Sequence, residues 1–304
     1  AELELNVGIS TITRHVKDLE TRLRLTLCRR GRAGFALTPD GQRVYEQTQS
    51  LLSAVDAFRS GIAAIHGRLG GELELALFDK TASNPQARIA EAIALFAEQA
   101  PEVRLKVHVA SLNAIERGVI DGQFHVGVIP THRSSQSLAY ADLFGETMQL
   151  YAGAGHALFE HEPGRMNWAQ LRAHPFAGLG YHSPNMQLTH ARQLVRAGTA
   201  FDQEAIVLLI LSGRYLGFLP DHYAASFVSA GRMRAVAPAR FRYDCRFAAI
   251  WRPSPEPARA VVPFRQCLTR VHPARGGAGE LQPPAVRADD HAGGEGVHAA
   301  GVEH

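Results

Sequence analysis

Short hydroxyl and long cationic side chains lie together near the start of this chain: Ser10, Thr11, Thr13, Arg14 and Lys17. Apolar residues recur every three or four positions from Ile12 to Leu23, so a helix would bury one stripe and leave the polar side chains outside it. Hydroxyl groups suit base edges, cations suit phosphates, and the DNA major groove admits a helix. The expected chemistry is recognition of duplex DNA.

Positive charge is concentrated in the same part of the chain. From Arg14 to Arg32, seven Lys and Arg residues face two acidic residues, a local net charge of +5, whereas the whole chain carries +3. Arg29, Arg30 and Arg32 extend this charge beyond the helix. A concentrated positive patch on a near-neutral body is typical of phosphate binding. Taken alone, such a charge run is as often only a solvated surface.

The elements that would position these residues follow from the turn residues around them. Asn6, Val7 and Gly8 favour a tight turn before the helix. A basic stretch punctuated by Gly31 and Gly34 then predicts a hairpin. Two helical patterns around a turn, followed by a basic hairpin, predict a winged helix-turn-helix in residues 1–38.

This segment resembles the DNA-binding end of the LysR-type transcriptional regulators. The resemblance is carried by LNVGISTITRHVKDLE at 5–20, by LCRR at 27–30 and by LTPDG at 37–41. In the family another helix precedes this run, so the resemblance implies an N-terminally truncated copy. Part of the apolar stripe is then expected to be exposed.

Several positions depart from the family pattern. Gly8 and Ile9 replace the usual Ser-Gln opening, Arg24 replaces a common Gly, and Cys28 replaces a common Phe. A Gln can pair bidentately with adenine and Ile cannot, so these changes alter the expected base contacts and not the fold.

A heptad pattern follows the hairpin, with apolar positions spaced alternately by four and three: Val44, Thr48, Leu51, Val55, Phe58, Ile62, Ile65 and Leu69. The pattern predicts a helix that packs along a partner helix and makes a homodimer or homotetramer. Packing on its own domain is the alternative. Thr38 is expected to cap this helix, with Pro39 at its first position, and the glycines at 67–71 predict a hinge. Residues 39–71 are therefore assigned as a dimerisation linker.

From Glu72 onward strands and helices alternate, which predicts parallel sheets covered on both faces. A helix is expected from Asn84-Pro85, another over 186–197, and Pro263 is expected to break the last one. The unit repeats after Gly145, so two lobes should enclose a cleft. The predicted fold class is α+β multidomain: a winged helix-turn-helix and long linker helix, then two α/β (Rossmann-like, periplasmic-binding-protein-like) subdomains over residues 72–272.

This half also resembles the LysR-type effector domain, and the resemblance implies an effector site lined by the loops at the cleft. The matching positions are Lys80, Thr81, Ser83, Asn84, Ser111, Asn113, Pro130, Thr131, Tyr181, His182, Ser183, Phe201 and Asp202. Asn84 at a helix start would be placed to receive an anionic group, or would serve only as a cap.

No pattern for enzymatic or metal chemistry is found in the sequence. His161-Glu162 lacks the second His of H-E-x-x-H, and neither a G-x-S-x-G elbow nor a P-loop occurs. We expect no cofactor and no catalytic or metal-ligand residues. Three scattered cysteines argue against a disulfide framework and for a reducing, cytoplasmic compartment. No stretch reaches the length of a membrane span.

The end of the chain differs in composition. Ala, Gly, Pro, Asp and His dominate residues 273–304, which predicts a disordered tail. Together these features predict a sequence-specific transcriptional regulator whose partners are double-stranded promoter DNA and a small-molecule effector. The alternative is a solute-binding module of periplasmic-binding-protein type that does not bind DNA.

Overall fold

The computed structural model describes residues 7–31, 34–65, 69–160, 166–254 and 259–273. Its first part consists of a helix, an antiparallel hairpin and a long helix: α1 (Ile9–Leu23), β1 (Cys28–Gly31), β2 (Gly34–Leu37) and α2 (Pro39–Ile65). Asn6 of the expected turn, Arg32 and nearly all of the predicted tail lie outside the described residues.

The junction between the hairpin and α2 is tightly bonded. The Thr38 hydroxyl accepts the Gly41 N–H at 2.9 Å and donates to the Thr26 carbonyl at 2.5 Å. A Cβ on Gly41 would lie 1.9 Å from the Leu27 carbonyl oxygen, so only glycine fits this approach. The helix begins at Pro39, as the sequence predicts, because proline needs no N–H partner there.

The remaining elements build a nine-stranded sheet flanked by helices. Its strands are β3 (Gly70–Leu77), β4 (Glu102–Val109), β5 (Val126–Pro130), β6 (Ala139–Gly153), β7 (Phe176–Leu179), β8 (Arg196–Ala200), β9 (Leu216–Pro220), β10 (Met233–Ala235) and β11 (Arg242–Trp251). Its helices are α3 (Ile89–Gln99), α4 (Leu112–Ile120), α5 (Trp168–Leu171), α6 (Pro184–Ala191), α7 (Gln203–Leu211), α8 (Asp221–Ser229) and α9 (Val261–Val271).

Two lobes share this sheet. In lobe 1, β4, β3 and β5 run parallel; in lobe 2, β9, β7 and β8 run parallel. The long antiparallel pair β6 and β11 runs through both, pairing with β5 at one end and with β9 at the other. The β6–β11 register shifts between Phe247 and Ala248, so a β-bulge interrupts the shared pair.

The buried apolar side chains form one core cluster that extends through both lobes. In lobe 1, Phe96 of α3 and Phe264 of α9 make an edge-to-face contact with ring centroids 5.3 Å apart. In lobe 2, Phe218 lies between Phe176 and Tyr243, with centroids 5.9 and 5.2 Å away. These rings are buried because the helices cover both faces of the parallel strands.

Three local expectations are wrong. The helix expected from Asn84 begins at Ile89, because Thr81–Ser83 form a 3-10 turn and Arg88 has a left-handed backbone with φ of 41°. The helix expected over 186–197 ends at Ala191, and β8 follows. Of the glycines expected in a hinge, Gly70 and Gly71 belong to β3 and pair with β4, and Gly67 lies outside the described residues.

The fourth correction concerns Pro263, which does not break the final helix. It occupies the third position of α9, where the backbone N–H has no intrahelical partner in any case. The helix continues to Val271 and packs on α3 through buried Phe264 and Leu268.

Substitutions in α9 test this explanation. Pro263→Ala should cost less than about 1 kcal/mol, since only unfolded-chain entropy changes. Gln266→Pro, at an exposed position in the same helix, should cost about 3 kcal/mol because it removes an internal hydrogen bond and clashes with the preceding turn. Denaturant midpoints of the two variants measure the difference, and equal losses would contradict the assignment of Pro263 to the first turn.

Candidate functional site

The first group of predicted site residues lies on α1 and β1. The side chains of Ser10, Arg14 and Lys17 are exposed, and those of Thr11 and Thr13 are half-buried. Arg29 is exposed on β1. Arg30 pairs through its backbone with Phe35, and its side chain, like all of Arg32, lies outside what the structure describes. The exposed groups offer cationic and hydroxyl contacts on one helix and its hairpin.

A carboxylate fixes α1 to the hairpin. Glu20 Oε1 accepts the backbone N–H groups of Leu27 at 2.7 Å and Cys28 at 3.1 Å. No side chain of α1 is buried, and Leu19 and Leu23 of its apolar stripe remain 43 % and 42 % exposed. The orientation of the cationic helix relative to the hairpin therefore depends on Glu20 and on buried Leu27.

The second group lies where the two lobes meet. The loop after β3 contributes Lys80, whose Nζ lies 2.7 Å from Glu204 Oε2 at the start of α7. The same Nζ lies 4.6 Å from the centroid of the Tyr223 ring, and the Tyr223 hydroxyl donates to Glu204 at 2.8 Å. Lobe 1 is thus tied to two helices of lobe 2 by one cation.

Ser83, His222 and Glu146 form a second link across the lobes. Ser83 Oγ lies 2.9 Å from His222 Nδ1, and His222 Nε2 lies 3.2 Å from Glu146 Oε2. Beside them the Asn84 amide donates to the Gly145 carbonyl at 3.1 Å. Asn84 therefore joins the loop to β6. Because α3 begins only at Ile89, Asn84 neither lies at a helix start that could receive an anion nor caps a helix.

The order Ser–His–Glu resembles a catalytic triad, but the hydrogen bonds do not activate the serine. The Ser83 hydroxyl donates its one hydrogen to the Lys80 carbonyl at 2.9 Å. His222 Nδ1 must then be the donor to Ser83. Burial raises the pKa of the Glu146 carboxyl, against the opposing effect of His222. In this arrangement His222 Nδ1 is a donor to Ser83 and not an acceptor, so it does not act as a base toward that hydroxyl.

A third cross-lobe contact involves Asp79, which sequence reasoning missed. Its Oδ2 accepts the backbone N–H of Gln203, the first residue of α7, at 2.8 Å. Burial raises the pKa of the Asp79 carboxyl. Burial also raises the pKa of the Tyr181 hydroxyl, and the nearby Asp79 and Asp202 charges raise it further. Three buried oxygens have no hydrogen-bond partner here: Asp79 Oδ1, Gln203 Oε1 and Tyr181 Oη.

Other predicted cleft residues cap helices or bond to a neighbouring strand. Ser183 caps α6 by accepting the Met186 N–H at 3.3 Å, and Asp202 caps α7 by accepting the Ala205 N–H at 2.7 Å. Thr131 donates to the Arg246 carbonyl at 3.1 Å, directly after Pro130 ends β5.

Imidazole rings lie at another part of the lobe boundary. The rings of His132 and His182 are 5.0 Å apart, and Gln187 Nε2 donates to the His132 carbonyl at 3.3 Å. Burial lowers the pKa of His132. Ser111 and exposed Asn113 lie at the start of α4, and Phe201 is 67 % exposed, so none of these three enters the bonded cluster described above.

The residues that the sequence missed follow strand ends. Asp79 comes just after β3 and His222 just after β9, so the rule that ligands bind at the carboxyl ends of parallel strands would have found both. Within the described part of the chain, no group of three or more His, Cys, Asp or Glu side chains is arranged to hold a metal ion, and no helix could span a membrane.

Comparison with known proteins agrees with this architecture. Residues 66–273 match the LysR substrate binding domain. The "HTH-type transcriptional activator BauR" of Pseudomonas aeruginosa is 39 % identical over 268 residues, covering 88 % of each chain. The "Probable HTH-type transcriptional regulator LrrA" of Synechococcus elongatus is 25 % identical over 225 residues, covering 72 % of this chain and 74 % of the relative.

Solved structures share the fold. Full-length CbnR complexed with its target DNA has a TM-score of 0.58 at 19 % identity, covering 89 % of this chain and 92 % of that one. The full-length virulence activator AphB of Vibrio cholerae has a TM-score of 0.54 at 16 % identity, covering 89 % and 92 %. With a family match over most of its length and a relative of 39 % identity, this chain belongs to the LysR-type transcriptional regulators.

Proposed function

We propose that this protein is a sequence-specific DNA-binding transcriptional regulator of the cytoplasm, with no enzymatic activity, whose two-lobed domain senses a small molecule. Residues 1–38 act as the winged helix-turn-helix, 39–71 as the dimerisation linker and 72–272 as the effector domain. The observation that carries the proposal is the exposed set of cations and hydroxyls on α1 and β1, tied together by Glu20.

In this proposal α1 is the recognition helix. Arg14, Lys17 and Arg29, with Arg30 and Arg32, bind phosphates, while Ser10, Thr11 and Thr13 lie nearest the bases. Support comes from the exposure of the described cations and from the name of the relative BauR, an HTH-type activator. The CbnR structure, similar in fold, contains its target DNA.

The long helix α2 is proposed to pair two copies. It has 27 residues, a length of about 40 Å, and exposes Leu51, Val55 and Phe58 along one face. Isolated side chains of this size on a solvated helix would be ordinary, but a continuous stripe favours burial against a second helix. A twofold dimer would present two recognition helices to successive turns of DNA.

The effector is proposed to bind between the lobes and to change their relative orientation. Contacts of Lys80, Ser83, Asn84 and Asp79 with lobe 2 and the shared strands give the two lobes a defined spacing. A ligand that favours another spacing would be coupled to the DNA-binding helices by about 1–3 kcal/mol.

DNA binding is tested first by titrating genomic fragments and retitrating the best one at several salt concentrations. Arg14→Ala should weaken binding to all sequences and lower the salt slope by about one, because one phosphate contact is lost. Arg104→Ala removes another exposed cation, on β4, and should leave the slope unchanged. Weak, salt-independent binding by the wild-type protein would favour the solute-binding alternative.

Self-association through α2 is tested with matched charges. Leu51→Glu places a carboxylate on the apolar face and should shift the protein toward monomer by at least tenfold in dissociation constant, about 1.4 kcal/mol or more. Gln49→Glu places the same charge on the opposite face of the helix and should not. Sedimentation equilibrium measures both, and equal behaviour of the two variants would rule out this face as the interface.

The pH dependence of stability tests the Glu146 environment. Its folded pKa is raised above the unfolded value of 4.5, so its contribution to the free energy of unfolding falls as the pH rises through that interval. Glu146→Gln removes this titration and should gain stability relative to the wild type as the pH rises above 4.5. Glu98→Gln, at an exposed position on α3, is the control substitution and should not alter how the free energy of unfolding varies with pH. A stability difference between Glu146→Gln and the wild type that stays constant with pH would contradict the assignment.

A further inference from the structure

We propose that the boundary between the lobes binds the primary ammonium group of a small amine effector through Asp79, Tyr181 and Gln203. This inference rests on the proposed effector function of the two-lobed domain. It starts from the buried oxygens that lack partners: Asp79 Oδ1, Tyr181 Oη and Gln203 Oε1. Tyr181 is 9 % exposed and Gln203 is 3 % exposed, so water does not readily satisfy them.

The chemistry of these atoms specifies the ligand. The Gln203 amide oxygen and the ionised Asp79 carboxylate only accept hydrogen bonds, and the tyrosine oxygen accepts as well as donates. Unpartnered buried acceptors are costly, and a ligand with several donors would satisfy them together. A primary ammonium has three donors and no acceptor, which matches three oxygens. A carboxylate or phosphate would add acceptors where donors are needed.

The surrounding charge also favours a cation. Carboxylates nearby include Asp79, Asp202 and Glu204; burial is the main cause of the raised pKa of Asp79, and repulsion from the other two adds to it. Lys80 is the neighbouring cation, and its ammonium is already paired with Glu204. A cation bound at Asp79 would relieve the repulsion and the burial cost of that carboxylate.

The start of α7, which could otherwise attract an anion, is taken by the protein itself. Asp79 accepts the Gln203 N–H and Asp202 accepts the Ala205 N–H. An anionic ligand would have to displace one of these carboxylates while lying against the other. Because carboxylates of the protein already accept these N–H groups, the start of α7 gives no support to an anionic ligand at this boundary.

The position of the three acceptors connects binding to the lobes. Asp79 follows β3 in lobe 1, whereas Tyr181 and Gln203 follow β7 and β8 in lobe 2. An ammonium held by all three would add a link across the boundary. Removal of the ligand would remove that link, so occupancy would bias the spacing of the lobes.

The test uses the full chain and propylammonium as the probe, followed by saturation-transfer NMR and calorimetry. Propylammonium should bind with a dissociation constant on the order of millimolar, as a ligand of so few atoms allows. Three control compounds should each bind at least about tenfold more weakly. Propan-1-ol lacks the charge, propionate has the opposite charge, and tetramethylammonium has the charge but no N–H donors. Binding of propionate in preference to propylammonium, or no binding of propylammonium, would overturn the proposal.

Variants locate the site. Asp79→Asn should weaken propylammonium binding at least about tenfold, and Tyr181→Phe about three- to tenfold. Asp142→Asn, an exposed carboxylate on β6, should bind as the wild type does. Because Asp79→Asn could disturb the fold, its circular dichroism and melting midpoint are compared with those of the wild type. Tyr181→Phe is an independent test of the same site. Undiminished binding by both variants would overturn the site.

DNA titration of the same proteins separates this inference from the proposed function. Salt-dependent binding to a discrete site, without any propylammonium binding, would overturn the amine assignment alone. Propylammonium binding that depends on Asp79, in a protein that binds no DNA, would support the amine site and overturn the regulator.

Discussion

The two lobes are joined by backbone hydrogen bonds, since β6 and β11 belong to both halves of one sheet. This antiparallel pair cannot separate without breaking the strand pairing that completes each lobe, so the lobes can twist and bend relative to each other but cannot part. The bulge at Phe247 and Ala248 interrupts the pairing of β11 with β6. On one side of the bulge β11 also pairs with β5, and on the other side it pairs with β6 alone. This constraint confines the relative motion of the two lobes to a small range. A ligand of modest binding energy can shift an equilibrium between orientations within such a range.

Within that range, polar side chains cross the boundary beside an apolar cluster that extends through both lobes. Lys80, Ser83, Asn84 and Asp79 reach from lobe 1 to groups on lobe 2, whereas rings such as Phe96 and Phe218 stay inside their own lobes. Polar contacts exchange readily for contacts with water or ligand, and interdigitated cores do not. The chemistry of the boundary therefore permits rearrangement without loss of either lobe.

Local sequence signals were sufficient to predict an element where its structure depends only on residues of the same segment. Thr38 and Pro39 identify the start of α2, and alternating residues identify β3, since capping and alternation depend only on neighbours. β8 escaped prediction because Arg196–Ala200 lacks alternation and is ordered by pairing with β7. The cross-lobe links were less visible: Ser83 and His222 are 139 residues apart, so no spacing rule joins them. Family resemblance placed Lys80, Ser83 and Asn84 near the cleft, but their partners required coordinates.

The bonded junction at Thr38 gives α2 a mechanical role. The Thr38 hydrogen bonds and the close approach of Gly41 to Leu27 restrict movement between the hairpin and the helix. The two elements therefore rotate together. A helix of this length is a lever about 40 Å long, so a tilt of about 5° at one end displaces the other by about 3.5 Å. That displacement is about the 3.4 Å spacing of successive base pairs. In the proposed regulator, a small angular change at one end of α2 would therefore move the hairpin by about one base-pair step.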